Sequence, residues 1–208
     1  MNASRGSGEP RKGSASRATK ETQVEVTVVL DTPGDRMPEA QVDTGVPFLD
    51  HMLTALASTA RWDLQVKAKG DIEVDIHHTV EDVGITLGRA LKDALGVGRG
   101  MARYGSAAAP MDDALVLAAV DISGRPYAEV HGQPLPDRAP GGFHTDMLPE
   151  WLWGLARGGG LTLHIHVLAG RDAHHILEAA YKALGLALGQ ATAVKGSAIP
   201  STKGTLWD

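Results

Sequence analysis

The 208-residue sequence predicts an α/β (α+β) protein that is made of two similar halves. The pattern His-His-x-x-Glu occurs twice, at residues 77–81 and 174–178, with an offset of 97 positions. Hydrophobic periodicity predicts the same order in each half, namely strands, a helix, a further strand and a final helix that begins with the motif. With 43% hydrophobic residues, the chain can bury a substantial core.

The first half is predicted to follow a disordered N-terminal tail, residues 1–19, which is rich in Ser, Gly, Arg and Ala and has no hydrophobic period. Alternating β-branched residues indicate strands, and apolar residues spaced three and four apart indicate helices. The predicted elements of this half, residues 20–98, are strands at 23–30, 40–44 and 62–68 and helices at 47–59 and 77–95.

The second half, residues 99–208, repeats this order with little sequence identity outside the motif. Its predicted elements are strands at 114–122, 127–130 and 161–168 and helices at 148–156 and 174–188. The duplication is therefore inferred from the order of the elements. The two halves are expected to share one core and form one compact domain.

Composition excludes several classes of protein. The net charge is −5 and the basic residues are scattered, so the sequence provides no basic stripe for nucleic acid. No apolar run approaches 18 residues and the N-terminus has no apolar signal core, so we expect neither a membrane span nor secretion. The absence of cysteine excludes disulfides and thiolate metal sites. A cytoplasmic protein with nitrogen and oxygen metal ligands is the expectation.

The doubled motif favours a metal site, because imidazole and carboxylate are natural ligands for divalent transition metals. On a helix, His77 and Glu81 share a face, whereas His78 lies about 100° further round. Adjacent histidines are therefore expected to serve different ions, with the second triplet (His174, His175 and Glu178) supplying ligands from the same or a neighbouring subunit. A solvated polar helix face explains one such motif, but it explains two matched copies poorly.

Each half offers one further ligand on its earlier helix. His51 precedes the first motif by 26 residues and Glu150 precedes the second by 24, so the two occupy similar positions. The other histidines suit packing, surface or loop roles better. They are His131, His144, His164 and His166.

A basic group of residues lies beside small or turn residues: Arg103, Arg125, Ser201 and Lys203. Hydroxyl, ammonium and guanidinium groups of this kind bind phosphate. The pattern of a P-loop is absent, and taken alone these residues fit ordinary surface turns.

Several stretches together resemble the imidazoleglycerol-phosphate dehydratase family, over essentially all of the chain after the tail. The matching stretches are Lys-Glu-Thr (20–22), Pro-Phe-Leu-Asp-His-Met (47–52), His-His-Thr-Val-Glu-Asp (77–82), Arg-Tyr-Gly (103–105), Asp-Ile-Ser-Gly-Arg-Pro (121–126), Leu-Ala-Gly-Arg-Asp-Ala-His-His-Ile-Leu-Glu-Ala (168–179) and Pro-Ser-Thr-Lys-Gly (200–204). The resemblance is specific, because independent motifs occur in the family's order.

The resemblance implies an internally duplicated two-layer sheet-and-helix fold like domain 2 of ribosomal protein S5. It implies two Mn²⁺ ions per active site and an assembly of 24 subunits, with active sites built between subunits. Some family members carry histidine at the position of Glu150. By position, the implied metal ligands are His51, His77, His78, Glu81, Glu150, His174, His175 and Glu178.

The activity implied is a hydro-lyase of histidine biosynthesis that converts imidazole glycerol phosphate to imidazole acetol phosphate and water, with two metals stabilising an imidazolate. Glu21 matches the family's proton-handling carboxylate. The implied substrate- and phosphate-binding residues are Arg103, Arg125, Lys182, Ser201 and Lys203. A metal-dependent hydrolase of a phosphorylated small molecule and a non-catalytic metal-storage assembly are the competing interpretations.

Overall fold

The computed structural model describes residues 10–207, which form two four-stranded sheets and four α-helices. In the first half the sheet order is β1-β2-β4-β3, and only β3 runs parallel to its neighbour. The elements of this half are β1 (Lys12–Ala18), β2 (Thr22–Val29), β3 (Ala40–Asp43), α1 (Pro47–Ala60), β4 (Asp63–Gly70) and α2 (His77–Leu95).

The second half has the same topology, with sheet order β5-β6-β8-β7 and one parallel pair, β7 with β8. Its elements are β5 (Tyr104–Met111), β6 (Ala114–Ile122), β7 (Tyr127–Gly132), α3 (Met147–Gly159), β8 (Leu161–Ala169) and α4 (Ala173–Thr192), with a short 3₁₀ turn at Pro140–Gly142. The predicted internally duplicated α/β fold is confirmed.

The helices of the two halves pack against each other, α1 with α4 and α2 with α3, so that they lie between the two sheets. Glycines permit these close contacts. A Cβ added to Gly88 would lie 2.4 Å from the carbonyl oxygen of Leu155, and one added to Gly185 would lie 2.6 Å from that of Leu56. These two contacts are equivalent. The glycines are 97 positions apart, like the two motifs on the same helices α2 and α4, and the leucines of α1 and α3 are 99 positions apart.

The ends of α1 and α3 confirm that these helices are equivalent. Both end at a residue in the left-handed conformation, Arg61 after α1 and Gly160 after α3, with an offset of 99 positions. The same offset relates His51 to Glu150. The two residues therefore occupy corresponding positions, as the sequence had indicated.

The prediction of a disordered tail over residues 1–19 is wrong for its C-terminal part, because Lys12–Ala18 forms β1, which pairs with β2 along its whole length. The first half therefore begins before residue 20. Small and polar residues give this edge strand no hydrophobic period. It is held by its neighbours instead, since Gly13 lies directly against the backbone of Ala90 in α2. Residues 1–9 of the predicted tail and Asp208 lie outside the described residues.

Sequence periodicity also missed β5, the equivalent strand of the second half. It too is built of small residues and contains a proline. Gly105 lies against the carbonyl oxygen of Ala187 in α4, just as Gly13 does against that of Ala90 in α2. Both missed strands thus gain their stability from contact with a long helix. No helix within residues 10–207 combines the length and hydropathy needed to cross a membrane.

We expect Gly88→Ala to destabilise the fold. Its methyl group would meet backbone atoms that cannot move independently, and overpacking of this kind costs about 1–3 kcal/mol even after the better helix propensity of alanine. Chemical denaturation followed by circular dichroism measures this change in the free energy of unfolding. The matched control is Gly34→Ala, since no atom lies within 4 Å of the added Cβ there. An equal effect of both substitutions would contradict this account of the helix contact.

Candidate metal centre

Packing of α1 against α4 creates the tightest group of potential metal ligands, which we call the α1–α4 cluster: His51, His174 and Glu178. The Nε2 atoms of His174 and His51 lie 3.0 and 3.4 Å from Oε2 of Glu178. Within residues 10–207 this is the one group of three His, Asp or Glu residues whose ligand atoms all lie within 4.8 Å of one another. One ion with bonds of about 2.1 Å spans nearly this separation, so small side-chain adjustments are enough to fit it.

Glu178 is almost fully buried in this cluster. Burial by itself would raise its pKa, but hydrogen bonds from Lys182 and His174 outweigh burial and hold the pKa below its usual value. Lys182 donates to Oε1 over 2.7 Å, which leaves Oε2 facing the two histidines. The carboxylate is therefore ionised at neutral pH and presents one oxygen to the cluster.

Packing of α2 against α3 creates the equivalent group, the α2–α3 cluster: His77, Glu81 and Glu150. Nε2 of His77 lies 3.8 Å from Oε2 of Glu150. Oε1 of Glu81 accepts a hydrogen bond of 2.6 Å from Arg157 of α3. This cluster is looser than its counterpart, and it joins residues of the two halves in the same way.

The second histidine of each motif points to a different set of side chains. His78 Nδ1 lies 3.4 Å from Asp71 and 3.7 Å from Glu21. His175 Nδ1 lies 2.6 Å from Asp113, which must accept a proton from the ring because a carboxylate has none to donate. Nε2 of His175 lies on the other side of the ring, 3.4 Å from Oδ2 of Asp112. A carboxylate on one ring nitrogen is typical of histidines whose other nitrogen binds a metal. The adjacent histidines thus diverge as the helical geometry predicts.

These acidic partners lie on the β1–β2 and β5–β6 turns, except for Asp71, which directly follows β4. Glu21 lies in the first turn and Asp113 in the second, so the two occupy corresponding places beside His78 and His175. The sequence did not identify Asp71, Asp112 or Asp113. Asp112 and Asp113 directly precede β6, which was predicted, but the turn that they form went unrecognised because β5 was not predicted.

The predicted phosphate-binding residues gather at another place, which we call the basic cluster: Arg103, Arg125, Ser201 and Lys203. Arg103 makes a bidentate contact with Asp121 and donates 2.9 Å to the carbonyl oxygen of Pro200. Hydrogen bonding to Asp121 raises the pKa of Arg103 further above its usual value. A second guanidinium, that of Arg125, approaches Asp121 at 3.8 Å. Ser201 Oγ accepts from the amide of Lys203 at 3.2 Å.

The basic cluster lies far from both the α1–α4 cluster and the α2–α3 cluster of the same chain. Arg103 bonds to the carbonyl oxygen of Ala191 near the end of α4, whereas His174 lies at its start, about 25 Å away at 1.5 Å per residue. Gly124, next to Arg125, bonds to Gly160, about 15 Å along α3 from Glu150. One chain therefore does not bring the two kinds of residue together.

The remaining histidines lie apart from these clusters. His131 and His164 stack on the outer face of the second sheet with ring centroids 5.3 Å apart, and His166 lies beside them. His144 lies in the loop before α3, where it pairs with Arg138. The predicted strand face of His164 and His166 and the loop position of His144 are confirmed, whereas His131, predicted near a loop, lies within β7.

A family model for imidazoleglycerol-phosphate dehydratase matches residues 44–188. The chain belongs to this family. It is 51% identical over 197 residues to an imidazoleglycerol-phosphate dehydratase of Thermus thermophilus, covering 94% of this chain and 100% of that protein. The enzyme of Desulforudis audaxviator is 48% identical, again over 94% of this chain and 98% of its own length.

Solved structures of family members have the same fold. The crystal structure of IGPD from Pyrococcus furiosus in complex with (S)-C348 matches with a TM-score of 0.78 and 44% identity, covering 92% of this chain and 99% of that chain. The Staphylococcus aureus enzyme matches with a TM-score of 0.76 and 32% identity, over 88% of this chain and 99% of that one. Family membership therefore rests on the sequence and the overall fold, and not on the geometry of the α1–α4 and α2–α3 clusters.

The contact between His175 and Asp113 predicts a measurable shift in ring titration. Hydrogen bonding to Asp113 raises the pKa of His175 above 6.5, and the bond from His175 lowers the pKa of Asp113 to about 2. The carboxylate stabilises the protonated ring, so this contribution to stability is present below pH 6.5 and is lost as pH rises through the raised pKa.

Asp113→Asn should therefore return the pKa of His175 towards its ordinary value in metal-free protein. Histidine ring resonances followed by NMR across pH 5–9 measure this change. The ring of His78 is the internal control, because its pKa is raised by Asp71, which the substitution leaves intact. An unchanged titration of His175 would contradict the pairing.

Proposed function

We propose that the chain is a manganese-dependent carbon–oxygen lyase of histidine biosynthesis, which converts imidazole glycerol phosphate to imidazole acetol phosphate and water. The α1–α4 cluster is the observation that carries this proposal. It brings two imidazole nitrogens and one carboxylate oxygen close enough together to bind one divalent ion, and such an ion would bind the imidazole ring of the substrate. Family membership supports the dehydratase activity, and the basic cluster supports a phosphorylated substrate.

Two Mn²⁺ ions per active site fit the chemistry of the donors, which are imidazole nitrogens and carboxylate oxygens without thiolates. When bound, the ions supply Lewis acidity to the imidazole ring of the substrate. The residues that would hold them are His51, His77, His78, Glu81, Glu150, His174, His175 and Glu178. The divergence of adjacent histidines supports a role for each pair at two ions.

Proton transfer is assigned to Glu21. Loss of water takes the hydroxyl from the carbon beside the ring and a proton from the next carbon, and the enol that forms becomes the ketone by gaining a proton beside the ring. The reaction therefore requires a group that can accept and return a proton. The side chain of Glu21 is 56% exposed and lies 3.7 Å from His78, so it is open to substrate and close to the motif. Lys182, which donates to Glu178, presents an ammonium group on the same helix as His174.

Phosphate binding is assigned to the basic cluster. Asp121 holds the guanidinium groups of Arg103 and Arg125 near each other, and such forks match phosphate oxygens. Ser201 and Lys203 add a hydroxyl and an ammonium group on an exposed turn.

The separation of about 15–25 Å between the basic cluster and the metal clusters, taken from helix rise, is too long for a substrate whose phosphate lies three carbons from its ring. We therefore propose that active sites form between copies of the chain. The family resemblance suggests an assembly of 24 subunits. Nothing in this arrangement calls for nucleic acid or a membrane.

The direct test is an assay of the purified protein with imidazole glycerol phosphate, with and without Mn²⁺. We expect a ketone product that retains its phosphate, formed only when the metal is present and lost on chelation. Release of inorganic phosphate would instead identify a metal-dependent hydrolase. Metal binding without any turnover would favour a storage assembly.

Shared active sites predict that two inactive variants restore each other. His174→Ala damages a metal cluster and Arg103→Ala damages the basic cluster, so each alone should be inactive. Mixed assemblies prepared by refolding the variants together should recover activity at up to about a quarter of their sites, as expected for random mixing of copies.

The control for this experiment mixes His174→Ala with Glu178→Gln, which damage the same cluster and should give no recovery. A mixture of His174→Ala and Arg103→Ala that stays inactive, although mixed assemblies form, would place each complete site within one chain.

A further inference from the structure

A buried carboxylate on α2 connects the first motif to β1 and β2. Asp82 follows Glu81 and is only 6% exposed. One of its oxygens accepts a hydrogen bond of 2.6 Å from Arg17 of β1, and the other accepts one from the hydroxyl of Thr22, the first residue of β2. Arg17, Thr22 and Asp82 are called the Asp82 network below.

The Asp82 network holds the turn that carries Glu21. Thr22 follows Glu21 directly, and its hydroxyl and backbone are both fixed. The Thr19 hydroxyl accepts from the amides of Glu21 and Thr22 at 3.1 and 2.9 Å. The amide of Asp71 donates to the carbonyl oxygen of Glu21 at 3.2 Å. Asp82 lies four residues after His78 on the same helix, so the turn is fixed relative to that histidine.

Duplication provides an internal comparison. The bond that closes the first strand pair, from Leu30 to Arg11, recurs from Ile122 to Arg103 with an offset of 92 positions, and the motif helices are offset by 97. At these offsets, the second-half equivalents of Arg17, Thr22 and Asp82 are three buried alanines. They are Ala109, Ala114 and Ala179.

The second half thus builds the same strand pair and helix with alanines at these three positions. Its turn is tied to the start of α4 at a different place, by hydrogen bonds to Asp113 from the amides of Arg171 and Asp172 and from the ring of His175. Burying a charged pair is costly, and apolar residues of suitable shape often serve stability equally well. The fold itself therefore does not require Asp82. The two turns carry different residues at the corresponding place, Glu21 in the first and Asp113 in the second, and the proposed function assigns proton transfer to Glu21 alone.

We propose that Asp82, through Thr22 and Arg17, is a positioning residue for Glu21 in the dehydration reaction. This inference rests on the proposed function, in which Glu21 transfers the proton. The network sets the position of the β1–β2 turn against α2. It thereby sets the distance between the Glu21 carboxylate and the imidazole ring of a substrate bound at the first motif.

The test replaces the whole network by its second-half counterpart, in the variant Arg17→Ala/Thr22→Ala/Asp82→Ala. Replacing all three residues together removes every charge and hydroxyl of the Asp82 network, so none of them is left without its partner. We expect kcat to fall about 10- to 100-fold, as for a misplacement near 1 Å, while KM changes less than about 3-fold. Mn²⁺ content and the melting temperature should stay close to those of the wild type.

The matched control is Arg11→Ala/Asp31→Ala, which removes an arginine–carboxylate pair from the opposite end of the same two strands. It should leave kcat unchanged. Asp82→Asn, which keeps an oxygen for the Thr22 hydroxyl, should give an intermediate kcat.

Two further measurements separate positioning from general damage. Added to Glu21→Gln, the triple alanine change should cause little additional loss of kcat, because both act on one step. Amide hydrogen exchange at residues 20–22 should become faster in the triple variant than in the wild type. Wild-type kcat in the triple variant, additive losses with Glu21→Gln, or loss of Mn²⁺ and folding would each overturn the proposal.

Failure of the proposed function would look different. If the wild type itself does not dehydrate imidazole glycerol phosphate, the assigned reaction is wrong. Hydrogen exchange then still decides whether the Asp82 network fixes the turn, and unchanged exchange at residues 20–22 in the triple variant overturns that as well.

Discussion

The close packing of helices from opposite halves is the constraint on which the rest of the structure depends. Gly88 and Gly185 allow α2 to approach α3 and α4 to approach α1, at equivalent carbonyl groups. Each contact places the first histidine of a motif beside the earlier helix of the other half. The α1–α4 and α2–α3 clusters of potential metal ligands are therefore a direct consequence of how the halves pack, and neither half contains a complete cluster.

The two adjacent histidines of each motif point into different surroundings because of the helical geometry. The first histidine faces the neighbouring helix, whereas the second faces an acidic residue on a β-turn, about 100° away round the axis. Approximate symmetry then breaks at three points. Glu150 takes the place that His51 has in the other half, and the Asp82 network takes the place of three alanines. Glu178 is also held by a lysine of its own helix, while Glu81 is held by an arginine of the partner helix.

Most elements followed from the sequence because strong periodicity marks strands and helices with one buried face. The candidate residues came from the doubled motif and from the family resemblance. The predicted bounds of α2 and β6 agree with the structure residue for residue. Strands β1 and β5 could not be found in this way. Their small residues pack against helix backbone rather than into an apolar layer, and such contacts leave no pattern in a local window. Missing these strands also concealed Arg17 as a partner of Asp82 and Asp113 as a partner of His175.

The sequence by itself determined the fold class, the duplication, the family and the residue types that suit a divalent metal and a phosphate. These depend on local periodicity and on motifs that are contiguous in the chain. Tertiary structure decided which histidine meets which carboxylate, and that the basic cluster lies about 15–25 Å from the metal clusters of its own chain, as helix rise indicates. Such distances depend on helix packing between residues some 100 positions apart, which no local pattern in the chain encodes.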